Sequence, residues 1–145
     1  MSTKQELIEE LIAFFVQEGF PVYGAIGIEG TKPPPFIENQ GFGDGRKRQP
    51  DVVGIDRANE RIVFGLARPD RMSLDSEVSL TEYNLFLDHH WDYGSKASML
   101  YVLMPGELLV DFTAIVTHYV HREYWHRVVP IASGRREKST EDTAA

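Results

Sequence analysis

The sequence has 145 residues, of which 42% are hydrophobic, and this suits a single domain with one ordinary core. Its formal net charge of -7 provides no overall positive field to attract nucleic acid, although a local basic cluster could still bind it. The absence of cysteine excludes disulfides, thiolate metal sites and cysteine nucleophiles.

The amino-terminal segment MSTKQELIEELIAFF predicts an amphipathic helix. Thr3 and Glu6 fit a capping box, and Gly19 is suited to end the helix in a left-handed conformation. Acidic residues interrupt the apolar stretch, which is atypical of a signal peptide or a membrane span. We therefore expect a cytoplasmic protein with no membrane partner.

The next part of the chain predicts three strands and one long loop. A run of β-type residues from Phe20 predicts a first strand that ends near Ile28. Residues 29–49 are rich in proline and glycine and predict a long loop, whose role the sequence leaves open. Residues 51–55 and 61–67 are short apolar runs joined by the turn DRANE, so they predict an antiparallel hairpin.

The remaining segments predict helix, strand, helix and strand, over residues 79–91, 98–104, 107–122 and 125–131. The small, charged residues 133–145 are expected to form a disordered tail. The elements follow the order α-β-β-β-α-β-α-β, which predicts one α/β domain over residues 1–132. Its central sheet should be mixed, with helices on both faces.

The hairpin carries a motif-like pattern, PDVVGID followed by RIVFGLAR. With this order of elements it resembles the PD-(D/E)XK superfamily of restriction-endonuclease-like phosphodiesterases. In that pattern an Asp opens the second core strand. An acid and a lysine lie on the third strand, with one residue between them. The resemblance covers residues 3–131 in topology, but in motif only this hairpin. It assigns Asp51 as a metal ligand and catalytic residue, and it places Leu66 and Arg68 at the acid and lysine positions.

The loss of the acid matters because the family's Mg²⁺ is held by carboxylate oxygens. Leu66 offers no oxygen, although strand parity places its side chain on the same face as that of Arg68. Arg68 could contact a phosphate, but it cannot act as a general base. Asp51 also has a simpler, structural interpretation, since Asp after Pro is common in turns. The resemblance therefore implies a catalytically degenerate member that needs no cofactor and acts by binding or assembly.

An alternative hypothesis is an active nuclease, dependent on Mg²⁺ or Mn²⁺, in which another acid replaces the missing one. Glu82 is the main candidate, because acids in this superfamily sometimes migrate to the helix that follows the third strand. Glu82 also completes a capping-box pattern with Ser79, and this pattern favours a purely structural role. Glu77, Glu10 and Glu18 are further candidates, although a solvated helix face explains the last two equally well.

Three consecutive basic residues, Arg46, Lys47 and Arg48, lie in the long loop beside the hairpin. They could contact a nucleic-acid backbone, or they could simply make the loop soluble. A third hypothesis follows from the acidic balance of the chain. It describes a structural or interaction protein, a homodimer without any nucleic-acid role.

The histidines suggest a metal site only at first sight. His118, His121 and His126 lie close together in sequence, and residues 88–92 read DHHWD. Neither group has zinc-binding spacing, and a helical projection turns His118 and His121 away from the apolar stripe. We expect both to be solvated.

Overall fold

The computed structural model describes residues 3–39, 41–88 and 97–134. Five strands form one open sheet in chain order, namely β1 (Val22–Ala25), β2 (Val52–Asp56), β3 (Arg61–Ala67), β4 (Met99–Pro105) and β5 (Val128–Ser133). The first three strands pair antiparallel. β4 runs parallel to β3, and β5 runs parallel to β4, so the sheet is mixed.

The helices lie on both faces of this sheet. They are α1 (Lys4–Gln17), the short α2 (Arg71–Leu74), α3 (Glu77–Asp88) and α4 (Leu109–Tyr119), with 3-10 turns at Gly106–Leu108 and Arg122–Arg127. Within the described residues, none of the helices has the length and apolar character needed to cross a membrane.

One core lies between α1 and the sheet. Leu7, Leu11 and Phe15 of α1 are fully buried there with the strand residues on that face. Gly65 of β3 allows the helix to approach closely, because a Cβ at this position would lie only 2.7 Å from Cδ2 of Leu11. The apolar period of the sequence and this glycine together position α1 on the sheet.

The larger core lies on the opposite face, under α3 and α4. Phe64 of β3 stacks on Phe86 of α3 with ring centroids 5.1 Å apart, and Phe112 of α4 is buried nearby. Leu66 of β3 belongs to this core and is 1% exposed. β3 and β4 are thus covered on both faces, which explains their almost continuous apolar sequences.

The α/β class, the mixed sheet and the helices on both faces were predicted correctly, and so was the capping box of Thr3 and Glu6. The bounds of β3 match the prediction. The first strand is shorter than predicted, because the chain turns at Gly27, where φ is +72°, and Thr31 donates to the carbonyl of Ile28.

The last helix and strand also differ from the prediction. α4 ends at Tyr119, and β5 begins at Val128 rather than at Trp125. The indole N–H of Trp125 donates to the carbonyl of Val120 at 2.9 Å, which holds this residue in the turn between helix and strand. β5 extends to Ser133, one residue past the predicted domain boundary. The end of the helix predicted over 79–91 and the predicted tail from residue 135 lie outside the described residues.

Candidate functional site

Asp51, Arg68 and Glu82 meet at the end of the sheet that contains the carboxyl end of β3, its central strand. Asp51 immediately precedes β2, and Arg68 immediately follows β3. Because these two strands are antiparallel, the start of one lies beside the end of the other. The backbone of Asp51 is held from both sides, since its N–H donates to Gly65 at 3.1 Å and its carbonyl accepts from Ile26 at 2.9 Å.

The carboxylate of Asp51 is 3% exposed and is surrounded by donors. Its Oδ2 accepts from the backbone N–H of Ala67 at 2.9 Å, and Nη1 of Arg68 lies 3.8 Å from the same oxygen. Its Oδ1 lies 3.2 Å from Nζ of Lys4, which reaches over from α1. Both carboxylate oxygens are therefore engaged by hydrogen bonds or positive charges of the chain itself.

Arg68 is the most highly connected side chain of the site. Its Nη2 donates to Oε1 of Glu82 at 2.7 Å, and its Nε donates to the hydroxyl of Tyr83 at 3.3 Å. The Tyr83 hydroxyl donates in turn to the carbonyl of Leu74 at 2.8 Å. Burial alone would lower the pKa of Arg68, but the Tyr83 phenol and the carboxylates of Glu82 and Asp51 outweigh this and raise the pKa. The guanidinium therefore stays charged although it is 4% exposed.

Glu82 is not a capping residue, so the capping-box prediction was wrong. α3 begins at Glu77, and Ser76 Oγ accepts from the N–H of Ser79 at 3.2 Å, so Ser76 caps the helix and Ser79 lies inside it. Glu82 lies in the second turn, where its carboxylate reaches Arg68. Burial raises the pKa of the Glu82 carboxyl, and the adjacent Arg68 guanidinium offsets only part of this effect.

Lys4, Asp51, Arg68 and Glu82 form a cluster, here called the ion cluster, of two positive and two negative groups. A divalent cation needs several oxygen ligands that are free to turn towards it. The described residues of this structure do not fit that need, because the guanidinium lies between the two carboxylates. In the described part of the chain, no three His, Asp or Glu side chains are placed to hold a metal ion together.

Leu66 and Arg68 both face α3, as their parity predicts, but they lie in different surroundings. Leu66 packs in the larger core, and Arg68 contacts Glu82 and Tyr83 at the end of the strand. The residue that the sequence resemblance aligned with an acid is therefore a core residue.

The other candidate acids have different surroundings. Oε1 of Glu10 accepts from the hydroxyl of Ser133 at 2.8 Å, and Glu18 is exposed at the end of α1. Glu77 lines a cavity of about 420 Å³ together with Arg48. The second carboxylate linked to Asp51 through Arg68 is that of Glu82.

The three basic residues of the long loop are each close to an acid of the same loop. Nη2 of Arg48 donates to both carboxylate oxygens of Asp44 at 3.1 Å, and Nε of Arg46 lies 3.9 Å from Asp44. Nζ of Lys47 lies 3.1 Å from the carboxylate of Glu38. A backbone bridge between residues 37 and 48 brings these groups together. Much of the local positive charge is thereby balanced within the loop.

The histidines His118, His121 and His126 are exposed, as predicted for the first two. His89, His90 and Asp92 lie outside the described residues. Asp88 accepts a hydrogen bond from the hydroxyl of Tyr124 at 2.6 Å.

Lys4 and Tyr83 are the members of the site that the sequence did not identify. Lys4 resembles any exposed lysine in the first turn of a helix, and its side chain is half exposed here. Its role depends on how α1 lies across the sheet, which no local pattern specifies. Tyr83 carries a weak signal, because it lies beside Glu82 on a helix that must bury one face.

Fold and site together define a mixed α/β protein with a buried ion cluster at one end of its sheet. Comparison with protein-family models, with curated proteins and with solved structures finds no significant match to this chain.

Proposed function

We propose that this chain is a catalytically degenerate member of the PD-(D/E)XK superfamily that uses the scaffold for binding or assembly. The observation that carries the proposal is the guanidinium of Arg68, which lies 2.7 Å from Glu82 and 3.8 Å from Asp51. Leu66 also supports the proposal. It stands where the family pattern has an acid, and its side chain is buried in the larger core. The proposal is also supported by the sheet, in which β1 to β3 are antiparallel and a parallel β4 follows after α2 and α3.

The chemistry of the cluster argues against hydrolysis. Phosphodiester cleavage needs a group that accepts a proton from the attacking water. Arg68 cannot accept one near neutral pH, and burial raises the pKa of Tyr83, which keeps its phenol protonated. The Asp51 carboxylate is engaged by Lys4 and by the N–H of Ala67, and the Glu82 carboxylate accepts a hydrogen bond from Nη2 of Arg68 at 2.7 Å. The cluster therefore supports a structural role better than a catalytic one.

The test is cleavage of mixed single- and double-stranded DNA and RNA in Mg²⁺ and in Mn²⁺. We expect neither the wild-type protein nor Asp51→Ala to cleave any of them. Cleavage by the wild type that disappears in Asp51→Ala would contradict the proposal. Cleavage that survives equally in Asp51→Ala would not originate from this site.

The competing proposal is an active nuclease in which Glu82 supplies the missing acid. It is favoured by one observation, the contact of Asp51 and Glu82 with the same guanidinium. Activity would require Arg68 to leave its place between them. This proposal expects cleavage that both Asp51→Ala and Glu82→Gln abolish. Full cleavage by Glu82→Gln would remove Glu82 from the mechanism.

A nucleic-acid partner remains a prediction, and so does a homodimer. Because Asp44 and Glu38 balance the basic loop, we expect wild-type affinity for duplex DNA to stay in the non-specific range, with a Kd of about 10⁻⁴ M or weaker at physiological salt. Asp44→Asn should increase the affinity and steepen its salt dependence, because it removes the carboxylate that pairs with Arg46 and Arg48. Fluorescence anisotropy across a salt series measures both.

The matched control for this prediction is the triple variant Arg46→Ala/Lys47→Ala/Arg48→Ala. Tight, salt-sensitive binding by the wild type that this variant loses would overturn the prediction and would favour a role on nucleic acid.

A further inference from the structure

We propose that the guanidinium of Arg68 takes the place of a divalent cation, and that removing it opens a cation site between Asp51 and Glu82. The inference deepens the proposed function and rests on it. It assigns Arg68 as a covalently attached counter-ion, and we therefore expect the native chain to take up no Mg²⁺ or Mn²⁺ at this position.

The guanidinium of Arg68 is placed near two buried carboxylates. Its Nη2 lies 2.7 Å from Oε1 of Glu82, and its Nη1 lies 3.8 Å from Oδ2 of Asp51. Nη1 donates its hydrogen bond to the backbone carbonyl of Ala67 at 3.2 Å, so Arg68 holds Asp51 by charge alone. All three side chains are almost fully removed from solvent, with 4%, 12% and 4% of the Arg68, Glu82 and Asp51 side chains exposed. One buried positive charge therefore lies close to both carboxylates.

The formal charges of the ion cluster depend on Arg68. With Arg68 present, the ion cluster is formally neutral. Without it, Lys4 remains as the only cation of this cluster, and its ammonium is half exposed and lies at the far oxygen of Asp51. Two buried carboxylates would then carry an excess negative charge beside a space vacated by the arginine side chain. Hard divalent cations bind in such surroundings through carboxylate oxygens and retained water.

The chain offers a matched comparison on its surface. Arg71 also lies between two carboxylates, 3.1 Å from Asp75 and 3.3 Å from Asp111, but all three side chains are about half exposed. Water can solvate those acids when the arginine is removed. An Arg71→Ala variant should therefore gain no comparable cation site, because burial, and not simply a pair of acids, creates the demand for a counter-ion.

The experiment titrates Mn²⁺ alone into the full-length protein and follows free Mn²⁺ by electron paramagnetic resonance. Wild type and Arg71→Ala should leave Mn²⁺ free. Arg68→Ala should bind one Mn²⁺ per chain, and Arg68→Ala/Asp51→Asn should bind it roughly tenfold more weakly or worse. Mn²⁺ should also raise the Tm of Arg68→Ala and leave that of the wild type unchanged, because a ligand of the folded state stabilises it. Methylguanidinium at low concentration should compete with Mn²⁺ for the same space.

Three results would overturn the inference. Stoichiometric Mn²⁺ binding by the wild type that depends on Asp51 would overturn the inference. So would an Arg68→Ala protein that folds and binds no Mn²⁺. If Arg68→Ala is unfolded alone, Mn²⁺ or methylguanidinium should restore its fold, and failure of both would also overturn the inference. None of these readouts involves cleavage, so the proposed function can stand while this inference fails.

Discussion

The substitution Arg68→Ala is expected to lower the free energy of unfolding by about 3–5 kcal/mol. Its guanidinium is 4% exposed and bonds to Glu82 and Tyr83, with Asp51 close by. Removing one partner of a buried ion cluster leaves the remaining charges without compensation, and this costs more than the cluster ever contributed to stability. Chemical denaturation in urea at neutral pH measures the change.

The matched control for Arg68→Ala is Arg71→Ala. Arg71 makes two ion pairs as well, but with side chains that are about half exposed, so its loss should cost less than about 1 kcal/mol. The combined variant Asp51→Asn/Arg68→Met/Glu82→Gln should recover most of the stability lost in Arg68→Ala, because it removes all three buried charges together. A loss in Arg68→Ala no larger than that in Arg71→Ala would show that the ion cluster is not a structural element.

The substitution Leu66→Glu should have an effect at least as large, although it introduces the acid that the proposed relationship to the PD-(D/E)XK superfamily would place there. Leu66 is 1% exposed in the larger core. Losing a buried leucine costs about 2–5 kcal/mol, and a buried carboxylate adds a desolvation penalty. The sum is comparable with the total stability of an ordinary domain, about 5–15 kcal/mol. We therefore expect this variant to be largely unfolded at 25 °C.

Circular dichroism and thermal denaturation measure this second effect. Leu66→Met is the control, because it keeps the volume and the apolar character of the side chain and should cost less than about 1.5 kcal/mol. A folded Leu66→Glu protein that binds Mn²⁺ would mean that position 66 faces the ion cluster rather than the core. It would also mean that a single substitution is enough to create a metal site in this chain.

The elements that could be predicted from the sequence are those whose signal is local. The capping box at Thr3 and Glu6 requires two residues three apart, and the strand Arg61–Ala67 requires a short apolar run next to a turn. The α/β class follows from the order of such elements. Trp125 was misassigned to a strand, because a short apolar run does not reveal that its indole donates to Val120 and closes a turn.

The candidate site could be predicted only in part. The antiparallel hairpin alone brings Asp51 and Arg68 together, so these two residues could be paired from the sequence. The contact between Glu82 and Arg68 depends on where α3 starts and how it lies on the sheet, and the capping pattern at Ser79 suggested a different start. Strand parity placed Leu66 on the correct face, but it could not tell how deep in the core that position lies.

The role of Arg68 as an internal counter-ion is tested most directly by a crystal structure of the wild-type protein grown in Mn²⁺, with diffraction data collected at the manganese absorption edge. We predict density for the Arg68 guanidinium between Asp51 and Glu82 and no anomalous peak at that position. A manganese peak within coordination distance of Asp51, with Arg68 turned away from Glu82, would contradict this role of Arg68.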